Sequence, residues 1–549
     1  MKKIIFLILI FGFVKITISQ NNKYWVMFKN KNGTPYSVST PTAYLTAKSI
    51  LRRTNQSITI NSSDLPVTPS YVSQIAAVPS VTVLYRSKWL NGVVVRTNTT
   101  AIATINTFTF VNNTNAVNRF KIVLPVIEKN QPAPEVLNPN KTNNPASYNY
   151  GGAAWQEKMI GVDCMHNLGF RGQGMTIAII DDGFNSVNTN SIFDSLFLEN
   201  RLLGTRDFVT GDTMVFEDDT HGAYCLSTMA GNQPGKIIGT APKAKYWLLR
   251  SEDVATETIS EEYNWIRAAE FADSVGADIT TTSLGYTTFD SGLNDHSYST
   301  LNGRTAPMSI AANMAARKGM VVLNAAGNEG QSFWVYVGVP ADADSIISVG
   351  AVDSLSNHAS FSSYGPTFDG RIKPDLSTRG QKALVCGPGA NCSFSNGTSF
   401  ATPILAGAVA CLWGAKPGLK NMTLINGLKQ YASNSLAPNN SIGWGVPNIC
   451  YTYQSTIGIN EITNDISTFS IHPNPVTAQL TVNINLYSEK NFILKIMDVL
   501  GKEIKAEILS RDIGTDSSIN LNVSSLDNGV YFISISDQNK ISTKKFMKQ

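Results

Sequence analysis

Charge is scarce in this chain, and histidine scarcer. Only 15% of the 549 residues are charged, and 44 Lys plus Arg against 40 Asp plus Glu leave a formal net charge of +4. So small an excess cannot supply the phosphate-neutralising footprint of a nucleic-acid binder, and no nucleic-acid partner is expected. Disorder is also excluded, because it goes with high net charge and little apolar content, whereas 43% of this chain is hydrophobic. Long apolar runs are missing: Ile4 to Val14 is eleven residues, short of the ~20 that span a bilayer. The five histidines are His166, His221, His296, His358 and His472, so any imidazole chemistry must use one of them. None of the six cysteines has metal-ligand spacing, which argues against a structural zinc site.

The apolar run follows Met1, Lys2 and Lys3 and precedes Thr17, Ile18, Ser19 and Gln20. A basic start, a short apolar core and small residues near a cut describe a signal peptide over residues 1–19, leaving no membrane span in the mature chain. Export lets disulfides persist. Cys164, Cys225, Cys386, Cys392, Cys411 and Cys450 allow fifteen full pairings, among which Cys386 with Cys392 would close a short loop.

At about 150 residues per domain, the length implies several folded units. Tyr24 to Phe28 alternates like a strand, Pro41 to Arg53 reads as a helix, and Val81 to Arg96 is rich in β-branched residues, so residues 20–145 read as a small α+β domain with its linker. Asn130 to Tyr150, dense in Asn and Pro, is the exposed part of that linker. Over 146–458 short apolar runs (Thr176 to Ile180, Lys245 to Leu249, Asp278 to Leu284, Met320 to Asn324, Ile346 to Val349) alternate with helical stretches. That pattern predicts an α/β fold with a doubly wound, mostly parallel sheet, whose reactive groups gather at the carboxyl ends of the strands. Residues 466–549, with period-two segments such as Leu480, Val482 and Ile484, read as an all-β sandwich. No repeat of 20 to 50 residues is present.

Four segments carry reactive groups. Ile177 to Gly183 is a buried-strand pattern ending in Asp181, Asp182 and a glycine, where a carboxylate is placed to orient an imidazole. His221 opens a helix that Asp219 or Thr220 can cap. Asn396-Gly397-Thr398-Ser399-Phe400-Ala401-Thr402-Pro403 places Ser399 at the amino end of an apolar helix, where free N–H groups favour developing negative charge. Val321 to Gly330 runs a buried strand into Asn328, whose amide can meet an oxyanion.

In this order the four segments resemble the subtilisin-like serine proteases over residues 152 to 455. The resemblance implies Asp181 as orienting carboxylate, His221 as general base and acid, Ser399 as nucleophile and Asn328 as oxyanion donor. Ser283-Leu284-Gly285 and Ala325-Ala326-Gly327 would flank the primary specificity pocket, with a peptide added as an extra strand. Three departures stand out: two aspartates before Gly183, as in the kexin-like branch, with Asp181 assigned by its spacing to the glycine; Ala223-Tyr224 after His221-Gly222; and Ile404 after Pro403. None removes a reactive group. Cys225, one helical turn from His221, resembles the thiol of thiol-sensitive members or else is a small core residue.

Residues 20–145 occupy the place of the family's propeptide, which acts as folding aid and inhibitor. The end of the chain resembles the type IX secretion sorting domain of Gram-negative bacteria through Ile471-His472-Pro473-Asn474-Pro475, Asp498-Val499-Leu500-Gly501-Lys502 and Leu526-Asp527-Asn528-Gly529-Val530-Tyr531. The expected partners are protein or peptide substrates and the type IX machinery, and the expected location is outside the cell or on its surface. No cofactor is required and no metal ligand is assigned; calcium is common in the family, but no loop here has the acidic spacing that would establish a site. Glu217-Asp218-Asp219 reads as a solvated turn. The competing expectation is a silent member of the fold serving as an adhesin.

Overall fold

The computed structural model describes residues 22–118, 148–290, 292, 294–457, 469–485, 491–498, 503–510, 516–536 and 541–549. The expected leader (1–19) and most of the expected linker (130–147) lie outside the described residues. The chain forms two units, Met1–Gln454 and Ser455–Gln549.

In the first unit, seven strands form a sheet in the order Leu376–Arg379, Ile347–Val352, Val321–Ala325, Ile279–Thr282, Thr176–Asp181, Lys245–Arg250 and Leu202–Asp207. Every neighbouring pair is parallel. Their unbroken apolar character follows from burial on both faces. Along Thr176–Asp181, Ile177 and Ile179 pack toward the helices His221–Ala230 and Thr398–Ala415, while Ala178 and Ile180 face Ser260–Val275 and Pro307–Arg317. The helix Thr398–Ala415 is long and apolar enough to cross a membrane, but 89% of it is buried here, so its hydrophobicity serves the core.

The amino-terminal domain is a four-stranded antiparallel sheet ordered Thr82–Ser87, Gly92–Thr97, Asn22–Phe28, Val111–Asn118. One face carries the helices Pro69–Ala76 and Thr99–Ile105. The other face shares a core with Ser260–Val275, where Trp25 stacks on Tyr263 at 5.1 Å between ring centroids. The Glu270 carboxylate of that helix accepts the backbone N–H groups of Lys88 and Trp89 at 2.9 and 3.0 Å, closing the turn after Ser87.

A second contact is made by the helix Ala47–Asn55. The single helix expected from Pro41 to Arg53 is split into a 3-10 turn, Pro41–Ala43, and this helix. Thr46 breaks the run: its backbone is extended and its side chain accepts the Ser49 N–H, which caps a new helix. Arg53 from this helix reaches Asp64 at 2.7 Å and Asp273 at 2.9 Å, Arg52 also meets Asp273, and Lys88 and Lys318 complete a buried network at 3.1 Å from Asp273 and 3.0 Å from Asp64.

Two disulfides close in this unit, Cys386–Cys392 across the hairpin Ala383–Gly387/Asn391–Ser395 and Cys164–Cys450 between distant segments. The first is the pair that the spacing favoured. Cys225 and Cys411 are free and buried.

The second unit pairs a three-stranded antiparallel sheet (Phe469–His472, Gln479–Asn485, Asp516–Asn522) with a four-stranded one (Glu503–Ser510, Asn491–Met497, Gly529–Ser536, Ile541–Lys548). Leu480, Val482, Leu494, Ile496 and Ile533 meet between them, the sandwich that period-two patterning predicts.

Candidate active site

Asp181 is the last residue of its strand and His221 the first of its helix. Their side chains meet with Asp181 Oδ1 2.6 Å from His221 Nδ1, whereas the nearer Asp182 oxygen is 3.9 Å away. Asp182, just past the strand end, instead accepts the Gly222 N–H at 3.3 Å. Glycine at 222 is obligatory, because a Cβ there would lie 2.3 Å from Gly183 O and 3.0 Å from Asp181 Cβ. The Glu217-Asp218-Asp219 turn is solvated as expected, with Glu217 and Asp218 exposed and Asp219 half-buried, and two of its carboxylates make local bonds. Asp219 Oδ1 accepts the His221 N–H at 3.1 Å, taking up a free donor of the first turn, and Asp218 pairs with Arg250 at 2.9 Å.

Ser399 is the second residue of the helix Thr398–Ala415, so its N–H is among those with no partner in the preceding turn. Pro403 has no N–H to return to the carbonyl four residues before it. That carbonyl, Ser399 O, is satisfied instead by Ser283 Oγ–H at 2.8 Å and Cys225 Sγ–H at 3.3 Å. Proline thus turns the serine's own backbone into an anchor for the strand end and for the histidine helix. The Ser399 hydroxyl donates to Ser283 O at 3.3 Å.

The Asn328 amide is oriented by Thr398, whose N–H and Oγ–H both donate to Oδ1, at 2.9 and 3.0 Å. A backbone N–H can only donate, so the amide cannot be flipped, and Nδ2 is left for an incoming oxygen.

His221, Asn328 and Ser399 line one cleft of about 320 Å³, while Asp181 is fully buried outside its lining. The cleft walls include Ser283, Leu284, Gly285, Ala325 and Gly327, five of the six residues expected to hold substrate. Ala326 is the exception: it is fully buried with Val337 and Ala341 behind the cleft, its backbone tied to Val349 and Gly338. The ladder continues past Gly285 at Tyr286, which pairs with Val339, so Ser283–Gly285 offers an edge on which a peptide can add. Sequence reasoning missed Asp219, Glu252, Glu257, Tyr286, Thr287 and Glu329 in this lining. The one available signal was the absence of Lys and Arg between Arg250 and Arg267.

Burial and the neighbouring Asp181 push Asp182 up to about 8, so it holds a proton at neutral pH. Burial pushes the Cys225 thiol up to about 11. Burial lowers the basicity of His221, but the adjacent Cys225 sulfur and the Asp181 carboxylate outweigh it and hold the imidazole above its ordinary value. Because the thiol is neutral, the Asp181 hydrogen bond is the main cause.

A fully parallel sheet whose carboxyl edge gathers Asp181, His221, Asn328 and Ser399 is the architecture of the subtilisin-like class of α/β proteins. Comparison with known proteins agrees. Residues 172–445 match the subtilase family, 23–133 the peptidase S8 propeptide domain of Bacteroidota, and 470–549 a secretion-system C-terminal sorting domain. Subtilisin NAT of Bacillus subtilis subsp. natto is 33% identical over 273 residues, 49% of this chain and 63% of that protein. Subtilisin of Bacillus pumilus is 32% identical over 273 residues and 87% of its length, and subtilisin BL of Lederbergia lenta is 28% identical over 299 residues and 96% of its length. The chain belongs to the subtilase family. Its sorting domain marks it for export to the cell surface or beyond.

Proposed function

We propose that the chain is a secreted serine endopeptidase, made as a zymogen, that hydrolyses peptide bonds of protein or peptide substrates through an acyl-enzyme. The observation that carries this reading is the 2.6 Å contact of Asp181 with His221, which lines the same cleft as Ser399 and Asn328. His221 takes the Ser399 proton as Oγ attacks the scissile carbonyl, then delivers it to the leaving amine; Asp181 holds the ring tautomer and stabilises the imidazolium. The oxyanion is met by Asn328 Nδ2 and the Ser399 N–H. Nucleophile, base and oxyanion donors are all groups of the chain, so the reaction requires no cofactor. The amino-terminal domain acts as propeptide and is removed by a cut within 130–150, and the carboxyl-terminal domain, bounded near 466, engages the type IX machinery.

The test is intact mass after incubating the secreted protein with a fluorophosphonate. One adduct on a chain trimmed within 130–150 is expected, with none on Ser399→Ala; a trimmed, folded parent that takes no adduct would replace the peptidase with a silent binding module.

The raised basicity of His221 sets the pH dependence. A general base with an elevated pKa stays protonated, and inactive, to higher pH, so kcat/KM must rise with pH through a limb above the ordinary histidine value of about 6.5. A profile of kcat/KM against pH on a peptide anilide checks this; a limb at or below that value contradicts the assignment.

A further inference from the structure

The chain leaves the cleft wall at Glu329 and returns to it at Gly338, and the eight residues between them, Gly330 to Val337, form a loop outside the lining. The loop carries no charged residue, and three of the four positions from 333 to 336 are aromatic: Phe333, Trp334 and Tyr336. Phe333 is fully exposed, at 106%, so folding gains nothing from its ring. A lone apolar side chain at a surface is ordinary, but two further observations set this one apart. The first is that the loop is pinned. The Ser332 N–H donates to Glu329 O at 2.8 Å, closing a turn that sets Phe333 directly after the cleft wall, and the Tyr336 N–H donates to Trp334 O at 2.7 Å. Tyr364 holds both sides of the next turn, its N–H donating to Val335 O and its carbonyl accepting the Val337 N–H, each at 2.9 Å. Val335 has φ of +53°, a left-handed backbone that is strained for a β-branched residue and persists only where its surroundings enforce it. Trp334 folds back, its Nε1–H donating to Val337 O at 3.2 Å, while Phe333 stays in water.

The second is that the aromatic surface continues behind the loop. Tyr336 stacks on Tyr298 at 4.2 Å between ring centroids, and Tyr298 meets Phe368, itself 55% exposed, edge-on at 5.7 Å. We propose that Phe333, backed by this aromatic face, is an exosite that takes apolar side chains of an unfolded polypeptide substrate lying beyond the cleft.

Continuity with the cleft identifies the occupant. A polypeptide seated against Asn328 and Ser399 lies beside Glu329, and Phe333 follows one turn later. The absence of charge in the loop suits apolar side chains, which an unfolded protein displays and a folded one hides. A phenyl ring has two rotatable bonds and sits here on a pinned backbone, so covering it gains contact area at little cost in conformational entropy. The inference rests on the proposed peptidase reading and names the substrates it favours, long apolar-rich chains over short peptides.

The experiment compares kcat/KM of the processed enzyme on two internally quenched peptides that share the residues around the cut, one short and one extended at both ends with Leu and Phe. Phe333→Ser should lower kcat/KM on the extended peptide, relative to the short one, by at least about fivefold, and through KM rather than kcat. Phe333→Leu, which keeps an apolar side chain, should recover part of that loss. The Tm of both variants should stay that of the parent, because no packing is removed. A ratio unchanged by Phe333→Ser, with the parent cleaving both peptides, overturns the exosite and leaves the peptidase standing, whereas a parent that cleaves neither peptide overturns both. An unchanged ratio together with self-association that Phe333→Ser abolishes in sedimentation would give this face to a second copy of the chain, and it too overturns the proposal.

Discussion

Replacing Ser399 by alanine is expected to lower kcat for amide hydrolysis by about 10⁶, the loss seen when the nucleophile of subtilisin, a relative of this chain, is removed. The residue should be dispensable for folding. Its side chain makes one long bond, 3.3 Å to Ser283 O, while the contacts that organise the strand end go to its backbone carbonyl and survive the change. The structural cost is therefore bounded by one weak hydrogen bond, about 0.5–1.5 kcal/mol. Initial-rate assays on a peptide substrate, beside a urea unfolding curve, separate the two effects. Activity within tenfold of the parent would remove Ser399 from the mechanism.

The second large effect is expected far from the cleft. Asp273→Asn should weaken the union of amino-terminal and catalytic domains by about 3–5 kcal/mol, since it leaves Arg52, Arg53 and Lys88 as buried cations short of a counter-charge. Assembling such a network yields little net stability because desolvation offsets attraction, but removing one partner exposes the whole penalty. Burial opposes ionisation of Asp273, and Lys88, Arg52 and Arg53 outweigh it, holding its carboxyl well below the usual range. A depressed acid contributes stability above the unfolded-state pKa, about 3.9, and loses it only as pH falls through the lower folded value. The docked domain should therefore resist mild acid in the parent and detach more readily at every pH in the variant. Hydrogen exchange across Ala47–Asn55 in the full-length Ser399→Ala background reads this out; unchanged protection would show that the network is not what holds the domain. The processed enzyme, with Asp273 facing water, should keep its kcat/KM.

The candidate reactive residues were legible because each sits at a local junction. A strand ending in Asp181 before a glycine, a capped helix opening on His221 and a Gly-Thr-Ser turn before an apolar helix are encoded by neighbours a few residues apart. Glycine spacing favoured Asp181 over Asp182, and the side chains divide the same way, at 2.6 and 3.9 Å from His221 Nδ1. Where the reading failed, tertiary context intervened. Ala326 lies in the expected substrate segment but turns into a packed pocket with Val337 and Ala341. Thr46 ended one helix and capped the next within a run whose apolar spacing suggested continuity.

By itself the sequence determined the α+β, parallel α/β and β-sandwich character of its three folded parts, the chain order of the candidate reactive groups and the family, because periodicity, capping and glycine placement act over a handful of residues. Only the tertiary structure decided which thiols beyond Cys386 and Cys392 pair, that Glu252, Glu257 and Glu261 converge, and that two arginines of the first domain are buried against Asp273 of the second. Those arrangements join residues far apart along the chain. Their energies come from desolvation and mutual charge, which do not exist until the chain has folded around them.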